Sequence, residues 1–158
     1  MVGTDTIELL DARHLEDLRG IVGMFADESG LETQYDAYLN FEHMRLQLEH
    51  LIAMDMVGVL VWKSDANVIL GTLIFSVTPN MFTGDLEARE IVWYVQPRWR
   101  NSRMGLKLLS EFERIASEDY DAPIIIMTHL EASMPDRLKK YYERKGYALL
   151  ETNYVKRS

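Results

Sequence analysis

The chain has 158 residues, 47% of them hydrophobic, which is enough for one domain with one sizeable core. Its formal net charge is −8 and it contains no cysteine. Disulfides, thiolate metal sites and a cysteine nucleophile are thereby excluded, and nucleic acid is a poor partner because binding it needs a surplus of Lys and Arg on one face. There is no run of roughly eighteen apolar residues and no basic, apolar leader, so the expectation is a single domain over residues 1–158, with no membrane partner, in a reducing cytoplasm.

Residues 6–10 read as a short opening strand. Leu15, Leu18, Val22 and Phe25 then recur at helical spacing, and a second stripe, Phe41, Met44, Leu48, Leu51 and Ile52, follows an interrupted segment over 28–40. Two apolar, β-branched runs, 57–62 and 68–77, flank the turn-forming stretch 63–67 and predict a hairpin. A loop runs from Pro79 through Gly84, and residues 90–95 form the next strand, stopped before Pro97. After a basic connector over 98–103, Leu108, Leu109, Phe112, Ile115 and Ala116 repeat at three and four residues, giving a helix from about Gly105. The apolar run 123–128 is a buried strand. Pro135 suits the first turn of another helix, with Asp136 near its start, Lys139, Lys140, Arg144 and Lys145 towards its end, and Gly146 as its stop. Residues 147–156 close the chain as a strand. The order is β-α-α-β-β-β-α-β-α-β, an α/β domain with a mixed central sheet flanked by helices.

The stretch from Glu90 to Gly105 carries the strongest chemical signal, because strand, basic connector and helix start succeed one another there. A helix start offers unpaired backbone N–H groups and the positive end of the helix dipole, which suits an anion such as a pyrophosphate. Arg98, Arg100 and Arg103 add positive charge in an otherwise acidic chain, although three arginines in a loop are equally the make-up of an ordinary surface.

With Val95, Pro97, Arg100, Arg103 and Gly105 at their spacing, this stretch resembles the coenzyme A signature of the GNAT acetyltransferases, Q/R-x-x-G-x-G/A after a strand. Arg100 stands at the first position and Gly105 at the last, while Arg103 replaces the middle glycine. The resemblance implies acetyl-CoA as cosubstrate and no metal. It also implies that the backbone amides of Asn101, Ser102, Arg103, Met104 and Gly105 hold the pyrophosphate, while the backbone of Tyr94 and Val95 meets the thioester and pantetheine. Near the carboxyl terminus, residues 138–147 are similar to the family's helix ending in Y-x-x-x-G-F, and Tyr142 falls on the tyrosine that protonates or steadies the departing thiolate. Pro135 stands where the family often has an asparagine.

Acetylating an ammonium group first requires removing a proton whose pKa is near 10, so a carboxylate beside the acceptor is useful. Glu90 opens the strand that supplies the cofactor contacts, and simple alternation puts Glu90, Val92 and Tyr94 on one face. The plain alternative is a solvated glutamate at a strand end. His129, after the buried strand, is the reserve candidate for a base, whereas His43 and His50 lack H-E-x-x-H spacing and read as a solvated helix face. No Walker loop, dinucleotide fingerprint or serine-hydrolase elbow is present.

Around the expected acceptor side, Asp27, Glu28, Glu32, Asp36 and Glu42 occur without an intervening Lys or Arg, and Asp85 and Glu87 follow in a later loop. Such a rim draws a cationic amine, with Tyr35, Tyr38 and Phe82 as walls. Polyamine, amino sugar, lysine side chain and protein amino terminus remain open as acceptors, as does a larger acyl group. The leading reading is an N-acetyltransferase with Glu90 as base and Tyr142 as acid, in a chain for which the resemblance admits a homodimer. The alternative is a non-catalytic acyl-CoA-binding or structural protein on the same fold, for which Arg103 and Pro135 speak.

Overall fold

A computed structural model describes residues 6–129 and 135–157. Five strands lie in the order β1-β2-β3-β4-β5: β1 (Ile7–Leu9), β2 (Val57–Lys63), β3 (Ile69–Pro79), β4 (Leu86–Val95) and β5 (Ile124–Ile126). The first four pair antiparallel and β5 joins β4 in parallel, so the sheet is mixed as expected.

Both faces of this sheet are covered, which is why β2 and β3 read as mainly apolar runs and not as alternation. Leu60, Trp62, Leu73 and Phe75 face α4 (Met104–Arg114), whose Leu108, Leu109 and Phe112 are fully buried against them. Val59, Val61 and Ile74 face the other way, onto Leu15, Leu18, Ile21, Val22 and Leu48. Those residues come from a 3₁₀ stretch, Ala12–Leu18, from α1 (Arg19–Ser29) and from α3 (Phe41–Ala53). The interrupted segment resolves into α2 (Leu31–Tyr35), reached through Gly30 at φ 77° and left through Asp36 at φ 50°. At the start of α3, Asn40 Oδ1 accepts the His43 amide at 3.0 Å, the side-chain cap that an unpaired first-turn donor needs.

Gly58 lies in the core of β2 because Phe75 occupies the space a side chain would take. A Cβ there would stand 2.3 Å from the Phe75 ring. Gly58→Ala should therefore cost about 1–3 kcal/mol of stability, read as a lowered urea midpoint with an unchanged slope.

The expected closing strand over 147–156 is not formed: residues 147–157 carry no strand pairing, and Leu149, Leu150, Tyr154 and Val155 are exposed. A strand needs a partner edge as well as a suitable composition. Among the described residues β5 pairs only with β4, and the tail is tied down by side chains, through Tyr147 Oη on Glu113 (3.0 Å) and Arg89 near Glu151 (3.9 Å). α5 (Pro135–Arg144) forms where expected. Among the described residues no helix is long and apolar enough to cross a membrane.

Candidate active site

The parallel ladder between β4 and β5 spans only Glu87, Ala88 and Arg89 opposite Ile124, Ile125 and Ile126. At the next step the Glu90 side chain takes over the role of the backbone. Its Oε2 accepts the Thr128 amide at 3.3 Å and the Thr128 hydroxyl at 2.5 Å. Beyond this point the β5-side edge of β4, from Ile91 to Val95, has no strand partner among the described residues. An unpaired strand edge offers backbone N–H and C=O groups to an extended, amide-bearing ligand.

Glu90 and Tyr94 do not share a face, contrary to simple alternation. The pairing of β3 with β4 steps from Ile74 opposite Val92 to Phe75 opposite Glu90, which leaves Ile91 as an inserted bulge residue. One extra residue inverts the parity of the strand. Val92 and Tyr94 belong to the α1 side of the sheet, whereas Glu90 follows Ala88 to the side of α4 and α5.

On that second side Glu90 meets Tyr142. The Tyr142 hydroxyl donates to the Thr128 carbonyl at 2.8 Å, and its ring packs 6.3 Å from Trp93 and 5.6 Å from Tyr147. Thr128 thus holds both groups, Glu90 through its hydroxyl and amide and Tyr142 through its carbonyl. Burial pushes the Glu90 carboxyl above the usual range, against the two Thr128 hydrogen bonds that lower it. The Tyr142 phenol is raised well above its ordinary value, first by burial and then by the charge of Glu90. Both expected catalytic residues are brought together; Thr128 is a site residue that sequence reading did not identify, its only signal being its place at the end of the apolar run. The neighbouring His129 has a buried Nδ1 without a hydrogen-bond partner among the described residues.

The connector after β4 is anchored by Gln96, whose amide donates to Leu70 O at 2.9 Å and whose Nε2 donates to Ile69 O at 3.0 Å. A 3₁₀ turn, Pro97–Trp99, follows, with Trp99 edge-on to Trp62 at 6.2 Å. Helix α4 starts at Met104, and Arg103 at its cap position makes no side-chain capping bond. Asn101, Ser102 and Arg103 are exposed just ahead of it. Gly105 lets the helix close onto the strand: its carbonyl accepts Trp93 Nε1 at 3.0 Å, and a Cβ on it would stand 3.4 Å from Val95. The exposed residues Asn101 to Arg103 and the positive end of the helix behind them fit a phosphate-bearing ligand, with the Met104 amide already donating to Ser102 Oγ at 3.4 Å.

Arg100 is turned elsewhere. Its Nε donates to Val95 O at 2.9 Å, its two terminal nitrogens grip Glu28 at 3.2 and 2.8 Å, and its guanidinium lies 5.1 Å over the Tyr94 ring. Tyr94 is pushed up to about 12, by burial and then by Glu28. Burial alone would raise Glu28, but Arg100 and Tyr94 outweigh it and hold the carboxylate low.

The acidic rim is partly neutralised. Glu28 is held by Arg100, Glu42 lies with Arg45 and Arg19, and Glu87 accepts Asn80 Nδ2 at 2.6 Å. Asp27, Glu32 and Asp36 are exposed, with Tyr38 Oη donating to Asp36 at 3.0 Å, and Phe82 is almost fully exposed. The side chain of Tyr35 lies outside the described residues. His43 and His50 are exposed on α3. Among the described residues no group of three or more His, Asp or Glu is arranged to hold a metal ion.

No family model and no curated protein matches the sequence. Solved structures do match over nearly the whole chain. A ribosomal-protein-alanine N-acetyltransferase from Brucella melitensis is 20% identical, with a TM-score of 0.69 and coverage of 97% of this chain and 99% of its own. A GNAT family acetyltransferase from Staphylococcus aureus is 16% identical, with a TM-score of 0.68 and coverage of 97% and 98%. A predicted acetyltransferase from Clostridium acetobutylicum, solved with acetyl-CoA, is 15% identical, with a TM-score of 0.71 and coverage of 94% and 95%.

Proposed function

On the GNAT fold that this chain adopts, we propose an N-acetyltransferase that moves the acetyl group of acetyl-CoA to an amine in one ternary complex. The observation that carries the reading is the pairing of a buried carboxylate, Glu90, with a buried phenol, Tyr142, on one residue at the point where the β4/β5 ladder ends.

Acetyl-CoA supplies an activated acyl carbon. The edge of β4 from Ile91 to Val95 that has no strand partner among the described residues is the surface for its pantetheine arm, and the exposed residues Asn101 to Arg103, with the start of α4 behind them, suit its pyrophosphate. Glu90 takes the proton from the attacking amine, directly or through one water, as the C–N bond forms. Its raised pKa makes it a stronger base than an ordinary carboxylate. Tyr142 supplies a proton to sulfur as the C–S bond breaks. A rotation of its hydroxyl away from the Thr128 carbonyl redirects that proton. The exposed Asp27, Glu32 and Asp36 favour a cationic acceptor by raising its local concentration.

The test is release of free thiol from acetyl-CoA on adding a polyamine, an amino sugar or a lysine-bearing peptide, each against a no-amine control. Acetylation of at least one amine supports the reading, and binding of acetyl-CoA without turnover of any amine favours the non-catalytic alternative.

Thr128→Val keeps the shape of the side chain but removes the hydroxyl that stabilises ionised Glu90. The acid limb of kcat/KM should then move to higher pH by about one unit, the equivalent of one charge-assisted hydrogen bond at net strength. Titration of rate against pH in both proteins checks it.

A further inference from the structure

Arg100 and Glu28 are 72 positions apart and form a two-bond ion pair on the α1 side of the sheet. Each belongs to a different half of the reaction. Arg100 stands in the connector between β4 and α4, beside the amides suited to the coenzyme phosphates. Glu28 sits in the last turn of α1, one residue before the buried Ser29 and next to the turn at Gly30 that leads into α2, with exposed Asp27 on one side and Glu32 and Asp36 beyond. The pair is half-exposed, 42% and 43% for the two side chains. A pair so wetted is held weakly, and a phosphate, with more charge and more acceptor oxygens than a carboxylate, competes well for the same planar fork of donors. Arg100 also keeps two anchors that do not depend on Glu28, the Val95 carbonyl and the Tyr94 ring, so it stays in place when the carboxylate is displaced.

The geometry points to Glu28 as a positioning residue that couples the two substrates: it occupies Arg100 until coenzyme phosphate displaces it, and the freed carboxylate then serves a cationic group of the acceptor other than the amine that reacts at Glu90. This inference rests on the acyltransfer reading above. Glu28 therefore acts in opposite directions on the two substrates, opposing coenzyme and favouring the amine.

The experiment is calorimetric titration of coenzyme A into the wild-type chain, Glu28→Gln, Glu28→Asp, Arg100→Gln and the double variant, with acceptor KM and kcat measured on the same proteins. Glu28→Gln should bind coenzyme A about two- to fivefold more tightly, the fold-change expected for removing an exposed competing partner. Glu28→Asp, whose shorter carboxylate spans the fork less well, should fall between wild type and Gln. Arg100→Gln should bind about tenfold or more weakly, and adding Glu28→Gln to it should change nothing further, because the competitor then has no arginine to hold. In the acceptor assay Glu28→Gln should raise KM while leaving kcat within about twofold. If Glu28→Gln binds coenzyme A as wild type does, or more weakly, Glu28 is a structural tie and the inference falls while acyl transfer stands. If the wild-type chain does not bind coenzyme A at all, the inference falls together with the reading beneath it.

Discussion

Glu90→Gln should lower kcat/KM for the amine acceptor by about 10²–10⁴-fold, the usual contribution of a positioned general base, and should at the same time stabilise the folded chain at alkaline pH. The two effects share one cause. Glu90 is buried, 6% exposed, and burial disfavours its charged form. A carboxyl whose folded pKa lies above its unfolded value contributes stability that is fully present below the unfolded value, near 4.3, and is lost as pH rises through the folded value. The wild-type chain therefore gives up about 1.4 kcal/mol for each pH unit by which the folded value is displaced. Glutamine keeps the acceptor oxygen for Thr128 and carries no charge, so it escapes this loss. Thermal melts at pH 4 and pH 8.5 check it: the melting temperature of Glu90→Gln relative to wild type should rise between them, by about 2–4 °C per kcal/mol for a chain of this size. A loss of activity with no pH-dependent gain in stability would mean that the folded pKa of Glu90 is not raised, whereas an unchanged kcat/KM would mean that Glu90 is not the base, which is then sought first at His129.

Acetyl-CoA at 100 times its dissociation constant should raise the melting temperature by about 5–11 °C, since ligation at that excess stabilises by about 2.7 kcal/mol. On the proposed reading coenzyme A meets four features: the edge of β4 that has no strand partner among the described residues, the backbone ahead of α4, Arg100, and the charge of Arg103, which has no ion pair among the described residues. Arg103 stands where the motif has a glycine, and its effect has a definite sign. If its guanidinium reaches phosphate, Arg103→Gly weakens binding and halves or more the thermal shift. If it crowds the cradle, Arg103→Gly enlarges the shift. Desulfo-coenzyme A should give most of the same shift, because the phosphates and pantetheine remain. A wild-type chain that does not respond to millimolar acetyl-CoA would remove the acyltransferase reading and leave only the fold.

Much of the architecture was legible in the sequence, and the reason is the double-sided cover of the sheet. Val57 to Trp62 and Ile69 to Val77 are apolar at nearly every position, Thr72 and Ser76 excepted, because helices lie on both faces, and a run of that kind between turn residues has few other interpretations. The approach to α4 was legible through Gly105 and the arginines before it, and α5 through Pro135, its dipole-ordered charges and Gly146. Glu90 and Tyr142 stood out as candidates through the resemblance, Tyr142 by its place in the helix motif and Glu90 by opening the strand that leads into the coenzyme A signature.

What composition and spacing determined, then, is most of the elements and their order, because each of these is encoded over a few neighbouring residues, while the resemblance singled out Glu90 and Tyr142 as candidates. Tertiary structure decided the rest. The bulge at Ile91 sends Glu90 to the face of Tyr142 and away from Tyr94, and no periodic pattern announces a single inserted residue, since register is fixed by the partner strand. Thr128 joins Glu90 across 38 positions, and Arg100 joins Glu28 across 72, so their hydrogen bonds are properties of closed loops and not of local sequence. Residues 147–157 have strand-like composition and no strand, because a backbone edge must be met by another before composition counts.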